Sequence, residues 1–261
     1  MDKIKADLPN SQKKKNLVKL ILLVSTILFI AAFFQKDKLQ DNKDVLEQLY
    51  QEPIQTKVDV APFEKRVNEI TYTITPLYFY ELYGMVVSYH HSKSWWDIYH
   101  YRMWKDFINI KDICVVWGDN IKTEVYKEMK FSSDPWTCFW KWPNQEIGAK
   151  FQSMCLSNNH LVSENKELNK EIMKVRKGDQ IYLKGYLARY SHSNNSFYRG
   201  TSTVRTDTGN GACETIYLED FRILKKANPQ WRLVFSFTIY VIICCVIILI
   251  VIFFKEPPII D

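Results

Sequence analysis

The sequence predicts a membrane-anchored α+β protein in which two transmembrane helices flank a mainly β, small-barrel domain with one helix before its last two strands. Three observations carry this expectation. Leu233 to Phe254 is an uncharged apolar run, and Leu17 to Phe34 is a second one whose only charge is Lys19 near its leading edge. Between them, period-2 alternation follows directly on a segment with helical spacing. At about 1.5 Å rise per residue, each apolar run covers most or all of a hydrocarbon layer about 30 Å thick.

The first sixteen residues carry five lysines against two aspartates, with Lys13, Lys14 and Lys15 next to the first apolar run. Half of the formal charge of +6 therefore lies in this tail, and residues 35–231 carry a net charge of only +2. An excess placed there is a topology signal, not a basic binding face, so no nucleic acid is expected as a partner. Cleavage as a signal peptide wants small residues one and three positions before the cut. Around Ala31 and Ala32 those positions hold Ile or Phe, which favours an uncleaved anchor. The positive-inside rule then puts both termini in the cytoplasm and residues 35–231 in the periplasm of a bacterial inner membrane. Lys225, Lys226 and Arg232, on the outer side of the second span, oppose this placement.

The expected organisation is a cytoplasmic tail over 1–16, spans over 17–34 and 233–254, a stalk over 35–71, an extracytoplasmic β-rich domain over 72–231 and a tail over 255–261. The stalk is polar, with a short helical patch at Val45, Leu46 and Leu49 that Pro53 ends. Leu77 to Tyr89 predicts a strand bending at Gly84, and Ile113 to Gly118 a shorter buried strand. Asn158 to Gly178 predicts a helix with Ser163 as its N-cap, Leu168, Ile172 and Val175 on one face, and Gly178 as its stop. Ile181, Leu183, Gly185 and Leu187 alternate with polar or aromatic residues as in a half-buried strand. Ile216 and Leu218 begin a last strand whose apolar phase slips to Phe221 and Ile223, so a bulge is expected near Glu219 and Asp220. Arg199 to Gly211 is loop-like and ends in the turn pair Asn210-Gly211.

Strands, a helix, then two more strands over Tyr72 to Leu224 resemble a small closed barrel of the OB type. In addition, LYGMVVSYH, ICVVWGDN, LSNNHL and STVRTDTGNGACETIYLEDFRIL together resemble a family of uncharacterised two-span bacterial inner-membrane proteins. That resemblance implies the two-span layout and no activity.

Chemistry-bearing candidates are few. Asp207-Thr208-Gly209 matches the loop of aspartic proteases, where two carboxylates share a proton. Here Arg205 and Thr206 precede it where an apolar strand is wanted, and there is no second copy, so a turn is the simpler reading. His90 and His91 are neighbours on a strand and point to opposite faces, and His100, His160 and His192 show no ligand spacing. No metal or cofactor is expected. Cys114, Cys138, Cys155 and Cys213 are disulfide candidates in an oxidising periplasm, with three full pairings open.

Residues 72–142 hold 19 of the 38 aromatics, a density that core packing alone absorbs only in part. Trp95, Trp96, Trp136 and Trp140 lie in polar, loop-like sequence and are the binding candidates, suited to stacking on sugars or peptides or to the headgroup layer. The expected function is a non-catalytic envelope interaction or accessory module in contact with the bilayer and with other envelope proteins or cell-wall material. The alternatives are an envelope hydrolase using Asp207, Asp134 or His160, and a subunit of a larger membrane complex.

Overall fold

Residues 2–94, 97–194, 196–207 and 212–255 are described by a computed structural model of the chain. It divides into two units, the terminal helices (residues 1–38 and 228–261) and the segment Leu39–Ala227. In the helical unit, α1 (Asp2–Gln35) and α5 (Pro229–Lys255) are each long and apolar enough to cross a membrane over Gln12–Gln35 and Pro229–Lys255. Leu233, Phe237, Tyr240 and Phe254 are exposed, an apolar surface of the kind that suits lipid. The two helices pack on one another, with Phe29 stacked on Phe235 at 4.9 Å and Asn228 Nδ2 donating to the Lys38 carbonyl at 2.7 Å.

The second unit is mainly β. Its strands are β1 (Ile54–Lys57), β2 (Phe63–Val67), β3 (Ile70–His91), β4 (Asn109–Val116), β5 (Lys130–Asp134), β6 (Thr137–Lys141), β7 (Leu156–Val162), β8 (Gln180–His192), β9 (Tyr198–Arg199) and β10 (Glu214–Lys225). Short helices α2 (Gly118–Lys122) and α3 (Gln145–Lys150) flank the β5–β6 hairpin, and α4 (Lys166–Lys174) joins β7 to β8. β3 pairs antiparallel with β4, β4 with β7, β7 in parallel with β10, β10 antiparallel with β8, and β8 antiparallel with β3 again. The short strands β1 and β2 add to β3, and β9 adds to β8.

Local chemistry explains two of the register shifts in this sheet. Pro76 has no N–H to give to a ladder, and the β3–β8 register shifts between Pro76 and Tyr78. The β10–β8 register shifts between Leu218 and Asp220, at the position where the apolar phase slips. Inside the sheet, Leu82, Ile113, Leu161, Leu183, Ile216 and Phe221 form one core, closed over by Ile172 and Val175 from the α4 region. A Cβ on Gly185 would lie 2.1 Å from the Tyr217 carbonyl oxygen, so two backbones touch where any side chain would hold them apart. Gly185→Ala is therefore expected to destabilise the fold by about 2 to 3 kcal/mol, read as a lowered midpoint of thermal unfolding of the detergent-solubilised chain. An unchanged midpoint would show that β8 and β10 can separate freely there.

Two expectations need correction. The segment 35–71 is not a stalk: it carries β1 and β2, and Leu49 is fully buried in a cluster with Met85, Val116 and Tyr126. Its apolar residues Leu39, Val45, Leu46 and Leu49 sit in and around two 3-10 turns and lie against the sheet, so sparse hydrophobicity concealed a packed strap. The helix expected from Asn158 begins only at Lys166, capped by the Asn165 side chain, and Leu156–Val162 is a strand. Ser163 supports that cap by accepting from the Asn165 amide at 3.0 Å. The polar run Ser157 to His160 hid the strand because its side chains bury in hydrogen bonds instead of in oil.

Of the four disulfide candidates, Cys114 on β4 and Cys138 on β6 are bonded, with their Cα atoms 5.9 Å apart. Cys155 and Cys213 are free thiols. The bond fastens the β5–β6 hairpin to the sheet.

Candidate functional site

The β5–β6 hairpin carries Trp136 at its turn, with a left-handed φ of 64° that a bulky residue adopts only when held. It is held on both sides. Its amide donates to Asp112 Oδ2 at 3.2 Å and its carbonyl accepts from Asn158 Nδ2 at 2.8 Å. The indole then lies tilted against His100 and against Trp104, with ring centroids 4.2 Å away in each case.

Behind this indole runs a continuous buried hydrogen-bond chain. Asp97 Oδ2 accepts from His90 Nε2 at 2.7 Å and from His100 Nδ1 at 2.6 Å, while Asp97 Oδ1 accepts from the amides of Tyr99 and His100 at 3.1 Å each. Asn109 Nδ2 lies 3.2 Å from His100 Nε2 and donates to Asp112 Oδ1 at 3.0 Å. Asp112 Oδ1 also accepts from His160 Nδ1 at 2.7 Å, a cross-strand pair set by the β4–β7 register. Arg199 Nη2 donates to His160 Nε2 at 2.5 Å, and its guanidinium lies 5.5 Å from the Trp136 ring.

The electrostatics follow from that order. Burial alone would raise the Asp112 carboxyl, but its electrostatic interaction and hydrogen bond with His160, then the neighbouring His100 and Arg199, hold it well below the usual carboxylate range. Burial, then the Arg199 charge, pushes His160 down to about 4. At neutral pH Asp112 is ionised and His160 is neutral, protonated on Nδ1, with its Nε2 lone pair directed at Arg199.

This chain forms one wall of a cavity of about 860 Å³, a size that suits a small-molecule site. Trp104, Trp136, Phe139, Trp140 and Tyr198 give it aromatic surface, and His160 and Arg199 face it from the relay. The opposite wall comes from the segment before and into β10. Arg205 pairs with Glu214 and donates to the Tyr80 hydroxyl at 2.6 Å, with its guanidinium 5.1 Å from the Tyr80 ring and 5.3 Å from that of Trp117. Burial raises the Glu214 carboxyl to about 8 against the opposing pull of Arg205. Glu214 Oε2 and Asn158 Oδ1 are both buried without a hydrogen-bond partner among the described residues.

The sequence-predicted residues distribute unevenly over this site. Trp136 and Trp140 meet in the cavity wall; Trp95 and Trp96 lie outside the described residues. Asp207 lines the cavity and accepts from Ser202 Oγ at 2.6 Å, the local capping expected of a turn; Thr208, Gly209, Asn210 and Gly211 are outside the described residues. Asp134 is exposed at the end of β5. Cys213 also lines the cavity, but burial raises its thiol and its sulfur accepts from Asn158 Nδ2 at 3.3 Å, which is not the setting of an activated nucleophile. Cys155, near Glu52 at 3.7 Å, is raised by burial as well.

Reading the sequence alone missed the relay. Asp112 and His160 are 48 residues apart, and only the strand register brings them face to face. The available signal was polar residues inside otherwise apolar strands, as in NIKDICVV and LSNNHLV. His90, Asp97 and His100 also form a buried trio of possible metal ligands. Asp97 Oδ2 instead accepts from both imidazoles. A metal on His100 Nδ1 would leave the remaining proton on Nε2, against the donating Asn109 amide.

Comparison with protein-family models, with curated proteins and with solved structures gives no match to this chain.

Proposed function

We propose that this chain is a two-span bacterial inner-membrane protein whose β domain, a barrel of the OB type on the periplasmic side, is a non-catalytic ligand-binding accessory module. One observation carries the choice of binding over catalysis. The Asp112–His160 pair has the form of a catalytic dyad, yet Arg199 occupies the Nε2 position that a general base needs for its substrate. An imidazole so engaged, and held neutral down to about 4, positions Arg199 in the cavity wall instead of taking up protons.

Other observations support the setting. The pairing order β3–β4–β7–β10–β8–β3, with α4 joining β7 to β8, supports the OB reading. The Cys114–Cys138 bond suits an oxidising compartment, and the lysine-rich start suits a cytoplasmic N-terminus. Partners in this reading are the bilayer and other envelope proteins or cell-wall material.

The test has two arms. Thiols are trapped in intact cells and the chain is mapped by mass under non-reducing conditions; Cys114 and Cys138 are expected joined, and a reporter fused after Lys255 is expected active only in the cytoplasm. The purified chain is then offered peptide and peptidoglycan substrates and is expected to leave them intact. A reporter active only in the periplasm would overturn the topology. Hydrolysis lost in Asp207→Asn would overturn the non-catalytic reading.

A further inference from the structure

We infer that the ligand of the cavity is a saccharide, held with one sugar face on the aromatic wall and its hydroxyls on Glu214, Asn158 and Arg199. The inference rests on the binding reading above and names its ligand class.

Glu214 is 4 % exposed and Asn158 is 6 % exposed, both line the cavity, and each has one oxygen, Oε2 and Oδ1, with no partner among the described residues. Buried polar atoms in folded chains are almost always satisfied, so two orphan acceptors on residues that line one cavity point to a ligand whose donors reach them once it is seated. The same cavity holds unspent donors. Arg199 uses one N–H on His160, no carboxylate pairs with it among the described residues, and Trp136 Nε1 is buried without a partner.

Ligand classes separate on this pattern. A carboxylate or phosphate brings acceptors only; it would suit Arg199 but leave both orphan oxygens unmet and face Glu214. An ammonium brings donors only and would sit in one cavity with Arg199 and Arg205. A hydroxyl donates and accepts, carries no charge, and matches Glu214 in either protonation state. Several hydroxyls fixed around an apolar C–H face then fit a wall built from Trp104, Trp136, Trp140 and Tyr198. A volume of about 860 Å³ admits a short oligosaccharide.

The experiment uses the full chain in a detergent without a sugar headgroup, because alkyl glycosides would compete. Tryptophan fluorescence is titrated with the β-1,4-linked N-acetylglucosamine tetramer, cellotetraose and maltotetraose, and with inorganic pyrophosphate as an anionic probe. At least one saccharide is expected to give a saturable change, weakened tenfold or more by Glu214→Gln and by Tyr198→Ala. Tyr198 is 63 % exposed, so its loss leaves the core untouched, and circular dichroism checks the fold of both variants. Saturation by pyrophosphate with no response to any saccharide would overturn the saccharide assignment and leave the binding reading standing. Cleavage of a bound saccharide, seen as new reducing ends, would keep the ligand class and overturn the non-catalytic reading. No response to any probe would overturn the inference.

Discussion

Asp112→Ala is expected to destabilise the β domain by about 3 to 5 kcal/mol, the largest loss among the substitutions considered. The carboxylate is fully buried and gathers three donors: His160 Nδ1, Asn109 Nδ2 and the Trp136 amide. Removing it strands the buried His160 Nδ1 and Trp136 amide donors, leaves Asn109 Nδ2 only His100, and leaves the left-handed turn at Trp136 held on one side only. Thermal unfolding of the solubilised chain, followed by circular dichroism, measures the loss. Asp112→Asn keeps one acceptor and is expected to fall between the two. Equal stabilities of Asp112→Ala and the unaltered chain would show that the relay is not what holds the hairpin turn.

The second large effect has the opposite sign and depends on pH. Asp106 is fully buried, accepts from the Tyr190 hydroxyl at 2.7 Å through Oδ2, and leaves Oδ1 without a partner. Burial pushes its carboxyl up to about 7 from an ordinary value of 3.8. The folded chain thus keeps a proton that the unfolded chain has released, and stability falls as pH rises from about 4 to about 7. At about 1.4 kcal/mol per unit, the loss reaches at most about 4 kcal/mol by pH 8. Asp106→Asn retains an acceptor for Tyr190 and cannot ionise. Its stability gain is expected to be near zero at pH 4 and to grow to a few kcal/mol at pH 8, measured by unfolding at each pH. His160 works the other way: its folded state resists protonation until about pH 4, so it costs stability as pH falls below 6.5. In the Asp106→Asn variant that acid-side loss should stand out more steeply. A gain independent of pH would contradict the assignment.

Apolar patterning makes much of the fold legible in the sequence. The two uncharged runs, the alternation from Ile181 to Leu187 and the phase slip after Leu218 each express burial against one surface, and burial is what a sequence records most directly. What escaped was decided by contacts distant in sequence. Leu49 reads as part of a tether until Met85 and Tyr126 are seen to cover it. Asn158, Asn159 and His160 read as helical or loop residues because buried hydrogen bonding leaves no hydrophobic trace. Trp136 and Trp140 were legible as candidates because aromatic rings in polar sequence lack a local reason to be there. Their convergence with Arg199 and Glu214 depends on the sheet register and on the turn at Trp136, neither of which spacing along the chain can express.

The claim at the centre of this account is that His160 positions Arg199 and does not serve as a base. Nitrogen-15 resonances of the His160 imidazole, followed through a pH titration of the full chain in micelles, test it most directly. The account predicts a neutral ring protonated on Nδ1 from pH 8 down to about pH 5, with titration only near 4. A ring that titrates near its ordinary value of 6.5, with Nε2 taking up the proton, would contradict it and return the Asp112–His160 pair to the set of catalytic candidates.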